Sequence, residues 1–121
     1  MATGLENLKI YKLSCRLEIF VHRVLERKFP REEKYRSVDQ LKRSSASITN
    51  NIAESYGKYS YGMKINHLYI ARGEIEETRS GFARACQKGF VSREISGFTI
   101  DKYEELLKLV NGYIRFLKNK N

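Results

Sequence analysis

Apolar side chains recur along the chain at alternating steps of three and four residues. Ile10, Leu13, Leu17, Phe20 and Val24 form the first run. It stops near Phe29-Pro30, because a proline ring disfavours helical geometry in the residue before it. Val38, Leu41, Ser45, Ile48 and Ile52 repeat the rhythm up to Gly57, a residue suited to a helix end. Leu68, Ala71, Ile75, Thr78 and Phe82 carry it a third time, running on to Ala85 or Cys86 and ending at Gly89. Tyr103, Leu106, Val110, Tyr113 and Leu117 make the fourth run, entered through Ser96-Gly97-Phe98-Thr99, where Ser96 or Thr99 is placed to cap a helix. The pattern predicts helices over residues 6–28, 36–56, 61–88 and 99–118. Spacing that averages about 3.5 residues suits left-handed packing of neighbouring helices. The short links at 30–36 and 57–61 make neighbours antiparallel. The expected fold is all-α: one domain, residues 1–121, folded as an up-down-up-down antiparallel four-helix bundle.

Composition narrows the class. Hydrophobic residues are 41% and charged residues 31% of the 121 positions, which suits a folded soluble domain rather than a disordered chain. No run approaches the ~20 apolar residues that cross a bilayer. The first residues, MATGLENLKIYK, lack a basic start leading into an unbroken apolar segment, so a cytoplasmic location is expected. Cys15 and Cys86 are isolated in sequence and are expected as free thiols.

Charge adds a direction. Lys and Arg number 23 against 14 Asp and Glu, a net charge of +9, which in a small domain favours a polyanionic partner, nucleic acid first. In the first helix Lys9, Lys12, Arg16, Arg23 and Arg27 fall in one narrow sector beside the core, with Phe20 interrupting the row, and Glu18 and Glu26 lie outside it. Such a ridge can follow phosphates, and a solvated helix face is the plainer reading. Lys42, Arg43 and Lys58 are secondary phosphate candidates. An acidic membrane surface fits less well, because no strongly apolar exposed face adjoins the ridge.

Three further features ask for an explanation. Leu8, Tyr11, Cys15 and Ile19 form a second apolar line on the first helix, away from its core stripe, and predict that another copy of the chain covers it. Ser44, Ser45, Ala46 and Ser47 allow another helix to approach closely, while Arg43, Ser47, Asn50 and Glu54 make a polar stripe on the opposite face, either solvated or engaged between subunits. Around the next turn, Tyr56, Tyr59 and Tyr61 alternate with Lys58 and Lys64. Tyrosine on a base with lysine on its phosphate holds unpaired nucleic acid, and tyrosines also close the ends of bundles.

Catalytic signatures do not assemble. His22 and His67 lie in different segments without H-E-x-x-H or E-x-x-H spacing, so a carboxylate di-metal centre fails on spacing. Glu74, Glu76 and Glu77 cluster, with Glu74 and Glu77 directed off the core line. No phosphate-cradling loop, G-x-S-x-G or Cys/His nucleophile arrangement occurs. The expectation is a non-enzymatic protein with no cofactor and no metal.

Several segments together carry a resemblance: LKIYKLS at 8–14, FPREEKY at 29–35, QLKRSSASITNNIAES at 40–55, IARGEIEE at 70–77 and KGFVS at 88–92. Ser47-Ile48 followed by Asn51-Ile52-Ala53-Glu54, with Gly73 and Glu77 downstream, is the most telling part. In these the chain resembles the four-helix-bundle proteins encoded in intervening sequences of large-subunit ribosomal RNA genes, relatives of the accessory variability determinants of diversity-generating retroelements. It departs from them at Thr49 and Ser55, where proline and glycine are common. It also departs at REISGFTIDKYEELL, which adds residues before the fourth helix. The resemblance implies a barrel-like homopentamer, basic and non-enzymatic, that associates with RNA and possibly DNA. For the retroelement branch it implies a reverse transcriptase partner during mutagenic complementary-DNA synthesis. A protein-interaction scaffold encoded in an rRNA intervening sequence, with no direct nucleic-acid role, is the alternative.

Overall fold

The ends of the helices follow from a few local interactions, visible in a computed structural model that describes residues 4, 5 and 8–120. Helix α1, Lys9–Lys28, ends where Phe29 and Pro30 turn extended. The expected start at Glu6 and Asn7 lies outside the described residues. After a single 3-10 turn at Arg31–Glu33, α2 covers Ser37–Gly57 and α3 covers Tyr61–Gln87. Lys64 closes the end of α2 by donating its Nζ to the carbonyls of Ser55 and Tyr56 at 3.2 and 2.9 Å, groups that the helix itself leaves unpaired. Ser60 caps α3 by accepting from the Met63 amide at 3.2 Å. Gly89, at φ +82, then ends α3: its amide donates to Cys86 and the Phe90 amide to Ala85, the paired bonds of a Schellman turn.

Helix α4 covers Arg93–Lys120 and so begins six residues before the expected 99. Its cap is Ser92, whose Oγ accepts from the Ile95 amide at 3.1 Å, and neither Ser96 nor Thr99 caps anything. Both are buried inside the helix: Ser96 donates to the Phe82 carbonyl across the bundle at 3.1 Å, and Thr99 donates to the Ile95 carbonyl at 2.7 Å. The residues expected as an insertion before this helix are therefore its first turns. Among the described residues there is no strand, and no helix is long and apolar enough to cross a membrane.

Cross-helix contacts fix the topology. Glu26 meets Lys42 and Ser14 meets Thr49 between α1 and α2, and Ser44 meets Thr78 and Asn51 meets His67 between α2 and α3. Phe82 meets Ser96, Arg79 meets Ile100 and Arg72 meets Asn111 between α3 and α4. Phe20 packs on Phe98 between α1 and α4. Where successive contacts are available, numbers rise on one helix as they fall on its neighbour, so the four helices form an up-down-up-down antiparallel bundle.

The core contains Val21, Ile48, Ile52, Leu68, Ile75, Phe82, Tyr103, Leu106 and Val110, all at most 1% exposed. In α1 it takes Ser14, Val21 and Leu25 in place of the expected Leu13 and Phe20, and in α4 it takes Ile114 in place of Tyr113. The displaced residues are half-buried at its margin. Ser14 is accommodated because its hydroxyl donates to the Tyr11 carbonyl at 2.8 Å.

The seam between α2 and α3 is the tightest. Ser44 and Thr78 hydrogen-bond side chain to side chain at 2.8 Å, and a Cβ added at Gly81 would stand 2.6 Å from Leu41 Cδ2. Gly73, on the same helix, has open space at its Cβ position. Gly73→Ala is therefore expected to stabilise the protein by about 1 kcal/mol, the helix-propensity gain. Gly81→Ala should destabilise it by about 1 kcal/mol, because overpacking exceeds that gain. Denaturant unfolding of both variants checks the opposite signs. The fully buried Tyr103 hydroxyl has no hydrogen-bond partner among the described residues. Burial, then the Glu18 carboxylate, push its phenol well above the usual range. Tyr103→Phe should raise stability by about 1 kcal/mol, read as a higher denaturation midpoint at unchanged slope.

Candidate nucleic-acid interface

Helix α1 presents the basic row to solvent. Lys9, Lys12, Arg16, Arg23 and Arg27 are all exposed, and none forms an ion pair with another described residue. Of the acids on the same helix, Glu26 turns to α2, where Lys42 reaches it at 2.7 Å and His22 stands at 3.6 Å. The Lys42 hydrogen bond holds the Glu26 carboxyl below the usual carboxylate range. The row leans toward α4. Phe20, in its middle, packs on Phe98 with ring centroids 5.2 Å apart, and Arg23 and Arg27 border a shallow cavity of about 320 Å³ that Ile95 closes from the other helix.

The secondary candidates differ from the row in having partners. Lys42 pairs with Glu26, Arg43 with Asp39 at 3.0 Å and Lys58 with Glu54 at 3.4 Å. Exposed pairs of this kind contribute about 0–1 kcal/mol and yield readily to a phosphate. At the α2–α3 turn, Tyr59 is fully exposed, whereas Tyr56 is half-buried beneath Lys64, whose ammonium is committed to the end of α2. Tyr61, at 38% exposure, is open to a lesser degree, so the turn offers two rings to solvent rather than three.

The second apolar line of α1 divides. Leu8 and Tyr11 pack against the margin of the core, Cys15 is half-buried, and Ile19 alone is largely open at 52% exposure. Ile19 sits in a surface groove of about 520 Å³ on the α1–α2 side, with Glu18, His22 and Arg23 of α1 and Lys42, Ser45 and Ala46 of α2. On α2 the polar stripe is largely occupied within its own helix. Arg43 and Glu54 are ion-paired, Ser47 accepts from Asn51 Nδ2 at 3.1 Å, and Asn50 is exposed. On α3, Glu76 pairs with Arg79 at 2.7 Å, and a hydrogen bond with Glu74 is the main cause holding the Glu77 carboxyl above its usual range. Among the described residues no three His, Cys, Asp or Glu side chains gather as a metal site requires. Cys15 and Cys86 are free.

Helix α4 supplies residues that the periodic reading passed over. Phe98 and Phe116 are 49% and 53% exposed. Lys102 lies 5.7 Å from the Phe98 ring, Lys120 lies 5.1 Å from the Phe116 ring, and Tyr113 stacks on Phe116 at 19° between planes. Their spacing, 98, 102, 109, 113, 116 and 120, is a helical stripe that the sequence does contain. Starting the helix at 99 left Phe98 outside it and hid the stripe.

The bundle and its basic face can now be set beside known proteins. No curated protein matches the chain. A crystal structure of a protein of unknown function from the S23 ribosomal protein family of Bacteroides thetaiotaomicron VPI-5482 superposes with a TM-score of 0.81. It is 23% identical, covering 87% of this chain and 97% of that one, a likeness that concerns the fold alone. The family described as 23S rRNA-intervening sequence protein matches residues 6–112, nearly the whole bundle, and the chain belongs to that family.

Proposed function

We propose that this chain is a non-catalytic, basic accessory protein that binds structured RNA, and DNA less selectively, through the phosphates. The observation that carries the reading is the row Lys9, Lys12, Arg16, Arg23 and Arg27, exposed and without ion-pair partners in the described chain. A polyanion supplies the counter-charge that the fold withholds from it, and each phosphate engaged releases condensed counterions. The setting is cytoplasmic, and the assembly is a homo-oligomer, a pentamer on the resemblance to retroelement accessory proteins. The same resemblance supplies a reverse transcriptase as protein partner, which the complex would serve in mutagenic complementary-DNA synthesis. The Ile19 groove on the α1–α2 side supports self-association, since it is open and holds the most exposed apolar side chain of α1, with Arg23 of the phosphate row on its margin.

Two outcomes are expected. Arg16→Glu combined with Arg23→Glu weakens binding to RNA and DNA of many sequences alike. It also flattens the dependence of log affinity on log salt by about 1.5, two phosphate contacts' worth, with helical content unchanged. Unaltered affinity and slope would take α1 out of the site. Ile19→Glu lowers the native mass measured by light scattering while circular dichroism stays helical. Because Tyr11 packs on the core, it is left intact in this test. A variant that keeps its full assembly would remove the α1–α2 groove from the subunit interface.

A further inference from the structure

The groove between α1 and α4 has two unlike walls. Its α1 wall, alongside α4 from Phe98 toward Phe116 in the antiparallel register that Phe20 and Phe98 set, carries Lys9, Lys12 and Arg16, exposed and without ion-pair partners among the described residues. Its α4 wall carries the rings of Phe98 and Phe116, each about half exposed and each with a lysine ammonium within 6 Å of its centroid: Lys102 at 5.7 Å and Lys120 at 5.1 Å. Phe98 and Phe116 share one face, five helical turns apart, a run of about 27 Å at 1.5 Å per residue. Contact between Phe20 and Phe98 forms the floor that joins the walls.

Resting on the nucleic-acid reading above, we infer that this groove is the path of an unpaired strand, with phosphates along α1 and bases stacked on Phe98 and Phe116 of α4. Charge complementarity selects this occupant. Exposed rings otherwise call for an apolar partner, but the α1 cations beside them, which have no ion-pair partner among the described residues, would leave such a partner facing buried, unsatisfied charge. An unpaired strand satisfies both walls together, since each base has a face to stack and each linkage an anion to bind. The acids of α4 fit the same orientation. Glu105 is taken by Lys102 at 3.4 Å, while Glu94 and Asp101 are exposed on this helix, so phosphates are repelled from α4 toward α1 and the bases are turned the other way. A duplex cannot stack, because its bases are paired and enclosed.

The test replaces the rings while keeping their bulk. The double variant Phe98→Leu, Phe116→Leu is compared with the wild-type protein on single-stranded RNA, single-stranded DNA and duplex DNA of matched sequence and of about 15 nucleotides. Helical content and native mass are recorded alongside, and Phe116→Leu alone serves if the Phe98 change disturbs its contact with Phe20. Affinity for both unpaired probes should fall about tenfold or more, duplex affinity should hold, and the salt slope should stay, because the phosphate contacts lie on the other helix. Equal losses on paired and unpaired probes, or no loss, would overturn the stacking path while leaving the basic row as the site. A drop in native mass would overturn it in favour of a subunit interface on this face. Absence of wild-type binding to every probe would remove the nucleic-acid reading itself, and this inference with it.

Discussion

The close approach of α2 to α3 is the constraint on which the remaining geometry depends. Ser44 and Thr78 meet hydroxyl to hydroxyl at 2.8 Å, Thr78 donates onward to the Glu74 carbonyl, and Leu41 fills the space that Gly81 leaves without a Cβ. Small side chains let two backbones come near enough for dispersion contacts along a whole seam, and the buried hydroxyls satisfy one another instead of standing unpaired. Helix α4 is then tied to α3 through Ser96 and Arg79, and α1 to α2 through Thr49 and the Lys42–Glu26 pair. The α1–α4 seam is the least extensive of the four. There large rings take the place of small residues, and an aromatic contact that does not close completely leaves Phe98 partly in water.

Charge follows the same division. Away from the α1–α4 flank acids and bases find one another, Glu26 with Lys42 between α1 and α2, and Asp39 with Arg43 and Glu54 with Lys58 along α2 and its end. On the α1–α4 side the α1 cations have no such counterparts among the described residues, so positive charge is concentrated on one flank. A field of one sign along a groove raises the local concentration of polyanions and speeds encounter, and it weakens as salt rises.

Much of the bundle was legible because apolar spacing reports helix faces directly. Val38, Leu41, Ser45, Ile48 and Ile52, and Leu68, Ala71, Ile75, Thr78 and Phe82, are all buried as their steps imply. The shifted α1 stripe and the late start of α4 share one cause. Ser14, Ser96 and Thr99 are polar by name but return their hydroxyls to carbonyl groups, so they sit in the core while looking like surface or cap residues. Counting Ser14 as polar shifted the α1 stripe to Leu13 and Phe20, and counting Ser96 and Thr99 as caps shortened α4. The basic row was legible for the opposite reason, since like charges at helical spacing need no packing information to be seen. What covers Tyr11 and leaves Ile19 open depends on where neighbouring helices end, and one helix's periodicity carries none of that.

Phosphate binding by the unneutralised flank of α1 is the proposal on which the functional reading stands. It is tested most directly by measuring the affinity of the purified, nuclease-treated wild-type protein for labelled structured RNA, single-stranded RNA and duplex DNA across a salt series. Five cations engaged on a single strand predict a linear fall of log affinity against log salt with a slope of about −3.5, and a slope at least as steep on duplex. A flat response, or no binding even at low salt, would contradict the claim and assign the charge to an acidic protein partner.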